Sequence, residues 1–150
     1  MKAITILQPW ASLIACGKKQ IETRSWPTKY RGPIAIHAGA RFDRKLWNLS
    51  LVDPIRNTFD NLGYGRNRND LPLGAVIAIA DLIACEEMTM DKIVAWRDVY
   101  GKAEIAFGDF QPGRYAWILE NVRQIKPVPA KGMQRLWEWE GCNQAAAKTI

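Results

Sequence analysis

The chain has one histidine and three cysteines in 150 residues, and that scarcity removes several chemistries at once. A zinc centre needs about four nitrogen or sulfur ligands at characteristic spacing. Cys16, Cys85 and Cys142 lie far apart, none in a C-x-x-C pair, and His37 stands alone; no metal site is expected. An odd, scattered set of cysteines also argues against a disulfide framework, so Cys16 and Cys85 are expected to be buried as small hydrophobes. No G-x-x-x-x-G-K-[ST], G-x-G-x-x-G or G-x-S-x-G occurs, which leaves phosphate-loop, dinucleotide and hydrolase-elbow chemistries unsupported and no cofactor expected. No apolar run approaches the roughly 20 residues that cross a bilayer; the longest, Ala75 to Ala80, is strand-sized. Met1 leads straight into Lys2-Ala-Ile-Thr-Ile-Leu with no charged-then-apolar leader, and the expected location is the cytoplasm.

What is present has the balance of a soluble globular domain: 48% of residues are hydrophobic and 24% charged. This length suits one core, expected over residues 1–140, with a small polar tail at 141–150. Net charge is +6, and it is lopsided. Residues 1–75 carry twelve Lys/Arg against five Asp/Glu (+7), and residues 76–150 carry nine against ten (−1). A basic half points to an anionic partner, although this magnitude is also ordinary for solubility alone.

Residues 2–7 alternate, with Ile4 and Ile6 on one side, and read as a strand. Pro9 suits a first helical position, Trp10, Leu13 and Ile14 share a helical face, and Gly17 ends that helix. Residues 20–24 read as a short strand, with Ile21 and Thr23 facing one way and Gln20, Glu22 and Arg24 the other. Residues 33–38 form a third strand, with Ile34 and Ile36 on one face and His37 opposite. Asp43 opens a helical stretch, and Asp53-Pro54 opens a second, running to about Leu62. Gly63 to Pro72 is polar and cationic and is expected to be an exposed, mobile loop. Residues 74–84 read as a central strand, Thr89 caps a helix carrying Ile93, Val94 and Trp96, 107–113 is a turn, and 114–122 is a strand. A last strand or turn spans 125–139. Five to seven strands with two to four inserted helices, and no regular βαβ units, predict an α+β chain, mainly β: a small barrel decorated by helices.

The most specific stretch runs from Gln8 to His37. Gln8-Pro9-Trp10-Ala11, the turn Gly17-Lys18-Lys19, Glu22-Thr23-Arg24-Ser25-Trp26, Tyr30-Arg31-Gly32 and Ile36-His37-Ala38 together resemble the activating-signal-cointegrator homology (ASCH) domain, a relative of the PUA and EVE barrels. Leu73-Gly74-Ala75-Val76, the region from Phe107-Gly108 to Gly113-Arg114-Tyr115-Ala116-Trp117, and Leu119-Glu120-Asn121 also fit, so the resemblance covers roughly residues 1–140. It implies a PUA-like β-barrel with a cleft beside the first helix, and a domain that binds RNA or other nucleic acid. Some small members hydrolyse acylated cytidine nucleosides, and some are described as ribonucleases.

The residues support such a cleft on their own chemistry. Lys19, Glu22 and Arg24 lie within a few positions of one another. Glu22 can accept from an exocyclic amine such as that of cytosine, and the Arg24 guanidinium can read a base edge or clasp a phosphate. Trp26, in a loop between Ser25 and Pro27, offers a flat face for a base. His37 either hydrogen-bonds a neighbour or lines the pocket. Trp10 shares its face with core residues, Trp47, Trp96 and Trp137 are expected to pack, and Arg66 and Arg68 are either solvated or phosphate contacts. The expected function is therefore a nucleic-acid-binding module using Lys19, Glu22, Arg24, Trp26 and His37 for single-stranded RNA or a modified nucleotide, with DNA left open. The alternative is a small hydrolase, an acylated-cytidine amidohydrolase or ribonuclease, in which Lys19 and Glu22 do acid–base work. Against it, the deacylating members place a threonine nucleophile where this chain has Glu22, and Thr23 is expected on the opposite strand face. A blander third reading is a domain that docks a protein partner.

Overall fold

In a computed structural model the structure describes residues 1–141. Residues 142–150, and with them Cys142 and nearly all of the expected tail, lie outside the described residues. The chain is of mixed α+β class, mainly sheet. Among the described residues six strands, β1 (Lys2–Ile6), β2 (Ile21–Arg24), β3 (Gly32–Ala38), β4 (Ala75–Glu87), β5 (Tyr115–Pro129) and β6 (Leu136–Glu138), form one sheet in the order β2-β5-β4-β3-β1-β6. All neighbours are antiparallel except β1 and β3, which run parallel with Ile4 opposite Ile36.

The sheet curls into a half-barrel because its two long strands do not stay in register. The β4–β5 pairing slips between Val76 and Ala78, between Ile79 and Asp81, and between Leu82 and Ala84; each extra residue bends the strand and increases its twist. At the Asp81–Glu120 step, Asn121 adopts a left-handed backbone (φ 52°), and its amide donates to Asp81 Oδ2 at 3.0 Å. Asn is among the few side-chain-bearing residues that tolerate that conformation.

Strand alternation sends apolar residues to both faces of the sheet. Ile4, Ile6, Ile34, Ile36, Trp117 and Leu119 fill the inside of the curl, while Ala3, Ala35, Val76, Ile79 and Trp137 pack on the other face. Residues 75–80 are buried throughout, which is why this segment reads as a continuous apolar run. At roughly 1.5–3 kcal/mol per fully buried aliphatic side chain, these layers dominate the stability.

Among the described residues five helices are inserted: α1 (Trp10–Ala15), α2 (Arg44–Ser50), α3 (Ile55–Leu62), α4 (Met90–Tyr100) and α5 (Lys102–Ala106). That is one more than the pattern predicts: α5 has only five residues, too few to show a helical period. Helix α1 plugs the half-barrel. Its start is fastened by the fully buried Gln8, whose Oε1 accepts from Ser12 N at 3.0 Å and whose Nε2 donates to Ser12 Oγ and to Pro72 O. Its end is turned by Gly17 (φ 76°), whose N–H donates to Ile14 O at 2.9 Å and sends the chain into β2. Asp43 and Thr89 cap α2 and α4 as expected, accepting from Leu46 N and Lys92 N.

Four details differ from the sequence reading. The 63–72 segment is tied down rather than loose: Arg56 donates to Gly65 O and Tyr64 O, Asp70 Oδ2 accepts from Gly65 N and Asn67 N, and Arg68 donates to Phe42 O. Strand β5 runs unbroken to Pro129, leaving only Leu136–Glu138 as the last strand. Val94 is exposed while Ile93 and Trp96 are buried. Cys16 and Cys85 are half-buried rather than sealed in the core, and the Cys16 thiol sits 2.7 Å from Tyr64 Oη.

Candidate functional site

The curl brings β2, at one edge of the sheet, across to β1 near the other. Arg24 makes the connection: its Nη2 donates to Thr5 O at 2.6 Å and lies 3.2 Å from Glu22 Oε2. Between these strands opens a cleft of about 590 Å³. Glu22, Thr23 and Arg24 line it from β2, and Thr5 to Leu7 from β1. Trp10 and Trp26 contribute indoles, Leu49 of α2 and Ile55 of α3 contribute an apolar shoulder, and the turn 107–109 with Arg114 completes the rim.

Three of the five expected site residues therefore meet in one cavity: Glu22, Arg24 and Trp26. The Glu22 carboxylate is nearly covered, 10% exposed, and each of its oxygens already has one partner. Oε1 accepts from Thr23 N at 2.9 Å and Oε2 faces Arg24. A carboxylate oxygen has two acceptor directions, so the group is fixed in orientation and still able to accept from a ligand. Arg24 Nε is buried with no hydrogen-bond partner among the described residues. Trp26 is half-buried and held firmly. Its ring meets Trp117 edge-on at 4.8 Å, the Arg135 guanidinium lies over it at 5.0 Å, and its carbonyl accepts from Trp117 Nε1.

Lys19 and His37 are placed elsewhere. Lys19 is 1% exposed and does not line the cleft. Its ammonium donates to Ile21 O and lies 3.9 Å from Glu104 Oε1. Glu104, on α5 and 3% exposed, accepts from Gln20 N at 2.8 Å and Ile21 N at 3.0 Å. This carboxylate fastens the start of β2 and neutralises the lysine beneath it. Burial pulls the Lys19 ammonium below its ordinary pKa, and Glu22 and Glu104 oppose that shift; burial likewise pushes Glu104 up, against Lys19 and the two backbone donors.

His37, 1% exposed, closes a separate chain of hydrogen bonds. Its Nε2 is 2.7 Å from Ala130 O, a group that only accepts, so Nε2 carries the proton. In the neutral ring Nδ1 then accepts from Thr5 Oγ1 at 3.2 Å, and Thr5 Oγ1 accepts from Trp137 Nε1 at 3.1 Å. Desolvation lowers the histidine pKa, partly offset by the Ala130 bond. The ring holds Thr5 from behind the sheet, while the Thr5 carbonyl holds Arg24 in front.

Several further residues line the cleft. Arg114, 28% exposed, lies 3.4 Å from Asp109 Oδ2 and donates to Asp109 O at 3.0 Å, making a second charge pair on the rim. Thr23, expected to face away, reaches the cleft where the 107–109 turn folds over its side, and its Oγ1 accepts from Asp109 N at 3.2 Å. Phe107-Gly108 and Arg114 belong to motifs already singled out, but no local signal marked them as cleft residues. Gly108 is packed so closely that a Cβ there would sit 2.9 Å from Phe110 Cε1 and 3.1 Å from Thr23 Cγ2. Among the described residues no three His, Cys, Asp or Glu side chains gather as a metal cluster, and no helix is long and apolar enough to cross a membrane.

Known proteins give this arrangement a context. The chain is similar to the protein named activating signal cointegrator 1 from Homo sapiens, 28% identical over 149 residues, and to that from Mus musculus, 27% identical. In each case 97% of this chain is covered but 23% of the relative, so the chain spans under a quarter of the length of these curated proteins. Its fold resembles the crystal structure of an ASCH protein from Zymomonas mobilis, with a TM-score of 0.58, 18% identity and coverage of 99% of this chain and 95% of that one. A mutant form of that protein matches with the same TM-score at 16% identity, covering 99% and 98%. The family model described as "ASCH domain" matches residues 4–129. That span runs from β1 to the end of β5 and takes in every strand but the last, and the chain accordingly belongs to the ASCH domain family.

Proposed function

We propose that the cleft holds a single base, presented by single-stranded RNA or as a modified nucleotide, and that the protein is a nucleic-acid-binding module. The observation that carries this reading is the oriented Glu22–Arg24 pair at the floor of an open cleft of about 590 Å³ with indoles in its wall. Glu22 offers acceptors to an exocyclic amine, Arg24 offers a planar donor edge, and an aromatic wall stabilises a stacked base by about 1–3 kcal/mol. The cleft supports this better than the hydrolytic alternative. General acid–base catalysis needs the group within about 3 Å of the reacting atom, directly or through one water, and the Lys19 ammonium is engaged behind the wall with Ile21 O and Glu104. Glu22 alone of that pair faces the cavity.

Incubation with short single-stranded RNA, the matching DNA and N4-acetylcytidine, followed by gel retention and chromatography, tests the reading. Salt-sensitive retention of RNA without a new product is expected. Turnover of acetylcytidine or RNA that disappears in Lys19→Ala and Glu22→Gln would establish the hydrolase instead. Equal retention of DNA would remove the preference for RNA, and no retention of any probe would remove the proposal.

A further inference from the structure

The charges inside the cleft are already balanced: Glu22 faces Arg24 at 3.2 Å and Asp109 faces Arg114 at 3.4 Å. A base fits such a neutral hollow, but the phosphates of a strand need cations beyond it. The structure supplies them on one side. A second hollow of about 570 Å³ lies over α2, bordered by Arg44, Lys45, Asn48, Leu49 and Val52, and Leu49 lines the cleft as well, so the two hollows meet at that side chain. Arg44 and Lys45 are exposed and make no ion pair with the described residues. No acid lies within α2, and the nearest along the chain, Asp43, is occupied by Arg41 at 3.0 Å and by the α2 backbone. Beside these cations Leu49 and Val52 are 38% and 60% exposed, an apolar surface suited to sugar and base faces.

We propose that a strand seated in the cleft continues across α2, with Arg44 and Lys45 meeting its phosphates, so that the ligand is a single-stranded nucleic acid several nucleotides long rather than a free nucleotide. This rests on the cleft reading above and adds the path, the length and the cations. The charge complementarity favours a polyanion, and the border shared with the base-sized cleft at Leu49 favours a nucleic acid over an acidic protein segment.

The test compares a labelled single-stranded RNA octamer, its DNA counterpart and cytidine monophosphate on the full chain, with Arg44 and Lys45 both changed to Ala. The octamer is expected to bind at least tenfold tighter than the monophosphate. The double variant should lose most of that gain, keep monophosphate affinity within twofold, and reduce the slope of log Kd against log salt by about 1.4, since each single-strand phosphate contact contributes about 0.7. Exchanging the two cations (Arg44→Lys with Lys45→Arg) should retain octamer binding, which separates charge from fold damage. Monophosphate binding with no octamer gain, or a gain the double variant keeps, overturns the path and leaves the cleft reading standing. Failure of every probe overturns both. Full displacement of the octamer by a glutamate-rich peptide, lost in the double variant, would make α2 a protein-docking face and overturn the proposal. Equal gains for RNA and DNA support the path, since the phosphodiester is common to both.

Discussion

Arg24→Ala is the most informative single change, because one guanidinium both closes the half-barrel and faces the cleft. Its Nη2 donates to Thr5 O at 2.6 Å, and the side chain is 25% exposed. A hydrogen bond from a charged donor contributes about 1.5–3 kcal/mol. Leaving the nearly covered Glu22 carboxylate without its cation adds about 1–3 kcal/mol. Truncation should therefore cost about 2.5–6 kcal/mol in stability, and at about 2–4 °C per kcal/mol for a chain of this size Tm should fall roughly 5–24 °C. RNA affinity, measured by anisotropy at a temperature where the variant is still folded, should fall by about 1–3 kcal/mol, or about 5- to 150-fold. Arg24→Lys should recover charge but not the planar fork, restoring part of the affinity at most. A Tm unchanged within a degree would refute the Thr5 closure, and an unchanged affinity beside a lowered Tm would make Arg24 wholly structural.

The remaining expectations probe the groups around it. Lys19→Met leaves the Glu104 carboxylate buried without its cation, which should cost about 3–5 kcal/mol and show as an earlier urea midpoint; a midpoint at the wild-type value would show that Lys19 and Glu104 do not depend on each other. Trp26→Ala should weaken RNA binding by about 1–3 kcal/mol per stacked base, with Trp26→Phe retaining most of it, and equal affinities for all three proteins would remove the indole from the site. His37 has a folded pKa below its ordinary 6.5 because burial disfavours the imidazolium. Between those two values the unfolded chain binds more protons, so this contribution to stability is fully present above about pH 6.5 and is lost as pH falls toward the folded value. Denaturant midpoints from about pH 5 to 8 should show that slope flattened in His37→Gln; the same slope in both proteins would assign it to other groups.

Alternation and caps make the scaffold legible in the sequence. Gly17, Asp43 and Thr89 act through neighbours a few residues away, and the spacing of Ile4 with Ile6 and of Ile34 with Ile36 is itself a local pattern, although these side chains pack across strands. The cleft is different, because it exists only once β2 has been carried across the curl to Thr5. That closure depends on register slips near Val76, Ile79 and Leu82, which leave no local signature. Glu104 was invisible for a related reason: α5 is a single turn and a half, and its carboxylate serves Gln20 and Ile21, 84 and 83 positions away. Lys19 was within reach of sequence logic. Period-two alternation extended one step back from β2 places residue 19 with Ile21 and Thr23, on the face opposite Glu22, and the structure sends its ammonium to that side. Proximity in sequence grouped Lys19 with Glu22 and Arg24, whereas strand geometry separates them. The motif thus has two halves of different kind: Lys19, answered by Glu104, holds the edge strand in place, and Glu22 with Arg24 faces the cavity that this strand helps to enclose.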